Sequence, residues 1–237
     1  MYPDLDGTNI TKPDSVSFRK FEQIIKFCYN HDIDISHIDN NGRVSSDSII
    51  DLSEKSFKKL PIKFSSCAGN FLMSHNSTLT TLQGCPDMVT DTFDISNCPN
   101  LTSLEHSPKQ VYSYTCNKNY GITNLRGISQ TVNGIFCFRC SNLTSLVGSP
   151  TNVELMDVTG CGLQSLEGVP KKIGAFHCGG NLPLTPYNMR FILFSEVGYI
   201  LTSSDTLDKL FNDFFQLPLS VRKQEIFSVM AELKTMG

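Results

Sequence analysis

From Phe71 onward the chain repeats one arrangement of apolar and polar positions. Two apolar residues stand two apart, an Asn or Cys follows three later, and a four-residue block opened by Leu or Ile and closed by Leu comes next. The pairs and their followers are Phe71/Met73/Asn76, Phe93/Ile95/Cys98, Tyr114/Cys116/Asn119, Ile135/Cys137/Cys140, Met156/Val158/Cys161 and Phe176/Cys178/Asn181. The blocks are LTTL at 79, LTSL at 101, ITNL at 122, LTSL at 143 and LQSL at 163, so their starts lie 22, 21, 21 and 20 residues apart. Residues two apart on a strand face the same side, so each pair predicts a short strand with both members inward and the residue between them outward. A fixed period of this length predicts a solenoid, with stacked strands forming a parallel sheet on one side and a turn-rich back on the other.

Each block runs on into a turn: LQGCP at 82, LEHSP at 104, LRGIS at 125, LVGSP at 146 and LEGVP at 166. Gly supplies a permissive backbone there and Pro fixes its own φ. Ile50 and Leu52, followed by FKKLP at 57, read as a degenerate first turn, which makes about seven turns in all. The Asn or Cys position falls where the chain leaves the strand. From there its side chain reaches the backbone of neighbouring turns, with Cys as a small buried substitute for Asn.

The ends have a different period. In SFRKFEQIIKFCYN, residues 17–30, Phe18, Phe21, Ile24, Ile25 and Cys28 recur at helical spacing behind Ser17 as N-cap, predicting a helix over the open first turn. After Pro186 the spacing predicts about three helices, with Phe191, Phe194, Leu207, Leu210, Phe211, Phe214, Ile226, Val229, Met230 and Leu233 as buried stripes. A solenoid needs its terminal core covered, so this end is read as a cap, with an effector surface as the alternative. The expected fold is α+β, with an N-terminal helical cap region at 1–44, a solenoid at 45–184 and a C-terminal helical region at 185–237.

The nine cysteines are an odd number in a chain of 237 residues, which predicts reduced thiols and a cytoplasmic setting, not a disulfide framework. Cys137-x-x-Cys140 has the spacing of a zinc or redox pair. The repeat accounts for both without chemistry, because Cys137 fills the inward position of Cys116 and Cys178, and Cys140 the position of Cys98 and Cys161. No second C-x-x-C or C-x-x-H completes a tetrahedral set, so neither a metal nor a cofactor is expected.

The string LVGSPTNVELMDVTGCGLQSLEGVPKKIGAFHCGGNL, residues 146–182, resembles the leucine-rich-repeat proteins of tailed bacteriophages and some bacteria. The resemblance spans about residues 45–184 and departs from the family pattern at Ser129, where Pro is usual, and at Gln164, where Thr is. It implies protein binding, and more loosely a phage product that inhibits a host defence or regulatory protein in the host cytoplasm. Bacterial leucine-rich-repeat ubiquitin ligases also carry a helical domain after their repeats, but need a catalytic cysteine there. This chain has no cysteine after Cys178.

A net charge of −3 and a pI near 5.9 argue against a polyanion as main partner, since nucleic-acid binding rests on Lys and Arg contacts to phosphate. MYPDLDGTNITKPDS has no cationic start followed by an apolar run, and no segment approaches a membrane-spanning length, so a chain without leader or membrane contact is expected. An uncovered end turn leaves room for pairing with a second copy.

The outward position between the inward pairs forms a column: Asp51, Leu72, Asp94, Thr115, Phe136, Asp157 and His177. Tyr112, Leu155, Phe138 and Arg139 flank it. Aromatic residues beside an Arg have the composition of an interface hot spot. The expected partner-binding residues are therefore Tyr112, Phe136, Phe138, Arg139, Asp94, Asp157 and His177, on a register in which a one-residue slip would turn every side chain over. Asp157 and His177 fall on adjacent turns, and an Asp beside a His can orient a general base. With no nucleophile or metal beside them, no catalytic set is expected. The alternative is an enzyme or small-ligand-binding protein with its site between the last repeats and the C-terminal helices.

Overall fold

A computed structural model describes residues 10–181 and 184–236; the start of the N-terminal segment and Leu182, the last letter of the repeat string, lie outside them. In chain order the elements are α1 (Phe18–Asn30), β1 (His37–Ile38), β2 (Arg43–Ser46), β3 (Ile50–Asp51), β4 (Lys63–Cys67), β5 (Phe71–Leu72), β6 (Met88–Asp94), β7 (Gln110–Thr115), β8 (Thr131–Phe136), β9 (Asn152–Asp157) and β10 (Lys172–His177). A 3-10 helix (Tyr187–Phe194), β11 (Glu196–Leu201), α2 (Asp205–Gln216) and α3 (Leu219–Met236) follow. The strands form one sheet in the order β1-β2-β4-β6-β7-β8-β9-β10-β11, with β3 and β5 as short continuations beside β6. All pairings are parallel except the β1–β2 hairpin. This is the expected α+β solenoid of about seven turns, with a helix at one end and helices at the other.

The inward pairs sit where the period puts them, and Phe71, Met73, Phe93, Ile95, Tyr114, Cys116, Ile135, Cys137, Met156, Val158, Phe176 and Cys178 are all buried. Because the turns stack in register, like side chains stack too. Phe64, Phe71, Phe93 and Tyr114 form a file of rings with centroids 5.2, 5.9 and 5.3 Å apart. Fully burying such a ring is worth about 1.5–3 kcal/mol. Tyr114 brings a hydroxyl into this core, and the Ser107 hydroxyl 2.8 Å away satisfies it.

The Asn and Cys positions form a ladder. Asn76, Asn119 and Asn181 donate Nδ2 to the carbonyls of Leu52 (2.9 Å), Ile95 (2.8 Å) and Val158 (3.0 Å). Cys98, Cys140 and Cys161 point Sγ at the carbonyls of Met73 (3.4 Å), Cys116 (3.0 Å) and Cys137 (2.7 Å). Every acceptor is the second inward residue of the preceding turn. Cys thus replaces Asn as a hydrogen-bond donor as well as a filler of space. Burial pushes the Cys98 thiol up to about 11, which keeps the S–H that donates.

Ser129, the departure from Pro, is buried and donates its hydroxyl to the Pro108 carbonyl at 2.6 Å. Ser195 does the same to Pro170 at 2.7 Å, marking the start of another rung.

That rung corrects the expectation of three helices after Pro186. The segment YNMRFILF is a 3-10 helix and EVGYIL is a strand, in parallel register with β10 through Val197 opposite Ile173 and Ile200 opposite Phe176. Phe194, expected in a buried stripe, is 68% exposed. The other two helices form as expected, and Phe211, Phe214, Val229 and Leu233 are buried. Helix α2 closes the sheet: Asn212 accepts from Ile200 N at 2.9 Å and donates to Ile200 O at 3.0 Å, taking the place of a further strand. At the other end α1 starts at Ser17, whose side chain accepts from Lys20 N, and buries Phe21, Ile24 and Cys28 in the same core.

Candidate functional site

The strand register builds the outward column directly. Asp51 pairs with Leu72, Leu72 with Asp94, Asp94 with Thr115, Thr115 with Phe136, Phe136 with Asp157, and Asp157 with His177. Leu201 of β11 extends it past His177. A parallel file runs beside it through Thr92, Ser113, Gly134, Leu155, Ala175 and Tyr199.

The carboxylates of the column share a local task. Asp51, Asp94 and Asp157 each accept, through Oδ1, the N–H two residues on, at 2.9, 2.8 and 2.9 Å from Ser53, Ser96 and Thr159. This Asx turn bends the chain off the strand. One carboxylate oxygen of Asp94 and one of Asp157 are therefore engaged inside the fold.

Phe136 lies half-buried with one ring edge against Gly134, which leaves the space for it: a Cβ on Gly134 would stand 3.0 Å from the ring. Tyr112 is 60% exposed on β7. Phe138 and Arg139 sit in the turn after β8, beside the face and off the strand. The Arg139 guanidinium lies 4.8 Å from the Phe138 ring centroid, within cation–π range. Among the described residues Tyr112, Phe136 and Phe138 make no ring contact with one another. They are separate points on one surface.

Arg139 has φ of +57°, and Glu54, His75, Asn97 and Lys118 at the same point of earlier turns have φ of +60°, +59°, +55° and +56°. The later turns use Gly160 and Gly180 there, both at +68°. The left-handed conformation is free for Gly and costs a side-chain-bearing residue about 1–2 kcal/mol. It turns each residue's N–H onto the next turn, as from Arg139 N to Thr159 O at 2.9 Å, and leaves the side chains of Lys118 and Arg139 exposed along one rim.

At the C-terminal end of the column His177 meets two partners. Its Nδ1 is 3.8 Å from Asp157 Oδ2, and its Nε2 is 3.0 Å from the Tyr199 hydroxyl. Tyr199 falls outside the expected set because the spacing after Pro186 predicts helix where β11 forms. The signal was present: Val197 and Ile200 are three apart, as are Val132 and Ile135, Val153 and Met156, and Ile173 and Phe176 in the preceding strands.

All nine cysteines are free and, apart from Cys85, buried. Cys137 and Cys140 turn to different partners. The Sγ of Cys137 faces that of Cys116 at 2.7 Å, while Cys140 takes its place in the ladder. Among the described residues no three His, Cys, Asp or Glu side chains stand where they would share a metal ion, and no helix is long and apolar enough to cross a membrane.

Comparison of the chain with protein-family models, with curated proteins and with solved structures gives no match.

Proposed function

We propose that the chain is a non-enzymatic protein-binding module whose contact surface is the outward face around Phe136. The observation that carries this reading is a rigid, in-register face on which Tyr112 stands 60% exposed, Phe136 sets a ring edge against Gly134, and Arg139 is held against Phe138. Aromatic and Arg side chains fixed on a stiff backbone lose little entropy on binding, which is why they dominate interface energetics. The resemblance to phage leucine-rich-repeat proteins supports the narrower reading of an inhibitor of a host defence or regulatory protein in the host cytoplasm. Capture of a partner from bacterial lysate, followed by calorimetry on the purified pair, tests it. Phe136→Ala is expected to cost about 2 kcal/mol or more in affinity at unchanged melting temperature. Full affinity in Phe136→Ala, Tyr112→Ala and Arg139→Ala alike would move the contact surface elsewhere.

A second reading rests on Tyr199. With its hydroxyl on His177 Nε2 and Asp157 beyond, the end of the column has an acid–base pair and an oxygen to act on. His177→Ala decides between the two. Binding retained within a few-fold, with no other activity lost, favours the module; loss of a turnover by orders of magnitude with partner binding intact favours an enzyme.

A further inference from the structure

Two clefts meet beneath α3, away from the column. The first, of about 470 Å³, opens between α3 and strands β9, β10 and β11, and carries the charged side chains of Glu154, Lys172, Glu196 and Arg222. Its floor is the backbone at Gly174 and Gly198, where any side chain would run into the carbonyl of the strand before. The second, of about 230 Å³, is walled by Phe194, Phe214, Leu219 and Ile226 and shares Glu196 and Arg222 with the first. One polar chamber and one mainly apolar chamber, with Lys223 also on its lining, thus open on the same Glu196 and Arg222.

Those charges are unspent. Among the described residues Glu154, Lys172, Glu196 and Arg222 form no ion pair, although Lys172 and Glu196 are register partners on adjacent strands. The Nε of Arg222 is buried with no hydrogen-bond partner. A buried guanidinium N–H without an acceptor is costly, and its fork is shaped for a carboxylate. Beside it, the exposed Glu154 and Glu196 offer acceptors to a cation.

We propose that this double cleft binds a free α-amino acid with an apolar side chain. The carboxylate meets Arg222, the ammonium meets Glu154 and Glu196, and the side chain enters the chamber of Phe194, Phe214, Leu219 and Ile226. A plain anion would leave both glutamates facing it, and a plain amine would leave Arg222 unanswered. The exposed Phe194, unexplained as a capping residue, becomes the wall of the apolar half.

Calorimetry on the full chain tests this with leucine and phenylalanine, their N-acetyl forms, their amides, and inorganic phosphate. Binding of leucine or phenylalanine is expected, weakened at least about tenfold by N-acetylation or amidation, since each removes one charged contact. Arg222→Lys keeps the charge but loses the fork, and is expected to weaken binding about tenfold or more. Glu154→Gln on the exposed rim is expected to weaken the amino acid while leaving the fold intact, which guards against a misfolded Arg222 variant. Phosphate or the N-acetyl form binding as well as the amino acid would reduce the cleft to an anion site and overturn the proposal. No heat from any apolar amino acid at roughly 10 mM, where even a weak site with a millimolar Kd is mostly filled, would overturn it as well. Tyr112 holds on β7 the position that Glu154 holds on β9, but Phe136, Phe138 and Arg139 take no part in this site, so either reading can fail alone.

Discussion

Between Phe71 and Cys178 each turn satisfies its buried backbone with an Asn or Cys that reaches back one turn, whereas at Ile200 the same service comes from Asn212, twelve residues ahead on α2. The repeat region is therefore bound by neighbours at a constant offset and the C-terminal end by one element folding onto another. In the first, a side chain's role follows from its place in the period. In the second, it follows from what happens to pack there. A linear solenoid with nearest-neighbour coupling fails from its weakest interface, so substitutions in the two regions differ in kind.

The sharpest break in the comparison is Ile135→Ala. It leaves a cavity between stacked turns in the middle of the sheet and is expected to lower stability by about 2–5 kcal/mol, read from denaturant unfolding. A loss under about 1 kcal/mol would mean that the turns relax into the space, against the close packing expected of a core. Next comes Asn119→Ala, which strands the Ile95 carbonyl and the Cys98 N–H, two buried groups that Asn119 holds at 2.8 and 2.7 Å. The expected cost is about 2 kcal/mol or more, given about 1–3 kcal/mol per unsatisfied buried group. Asn119→Cys, which copies Cys98 and Cys140, should recover part of it.

At the other end Asn212→Ala frees the same two kinds of backbone group, but at a partly buried edge that water reaches. A smaller loss of about 1 kcal/mol is expected, together with concentration-dependent self-association as the edge of β11 opens. Equal losses for Asn119→Ala and Asn212→Ala, with no association by light scattering, would erase the distinction between ladder and cap. The smallest effect has the opposite sign. Arg139→Gly relieves the left-handed backbone at φ +57° and is expected to stabilise the fold by up to about 1 kcal/mol, visible as a raised melting temperature, while weakening partner binding.

The candidate surface was legible where it rides on the period. Phe136, Asp157 and His177 form one file because Ile135, Met156 and Phe176 beside them are buried without exception. What the residues do there was not legible. Asp94 and Asp157 look like exposed charges in the sequence, yet each gives one oxygen to its own turn, a contact fixed by the backbone angle at the strand end. Tyr199 was hidden because FILFSEVGYIL satisfies helical spacing as well as strand spacing, and short apolar segments cannot be told apart by periodicity alone.

The sequence by itself determined the stack of turns, the inward pairs, the ladder positions and the helix behind Ser17, because each depends on a local pattern repeated at a fixed distance. The tertiary structure decided the rest: that EVGYIL joins the sheet once β10 offers a strand to pair with, that Asn212 ends it, and that His177 meets Tyr199. It also decided that the Nε of Arg222 is buried beside a cleft without a hydrogen-bond partner. These contacts join segments with no common period, and only three-dimensional packing sets their distance.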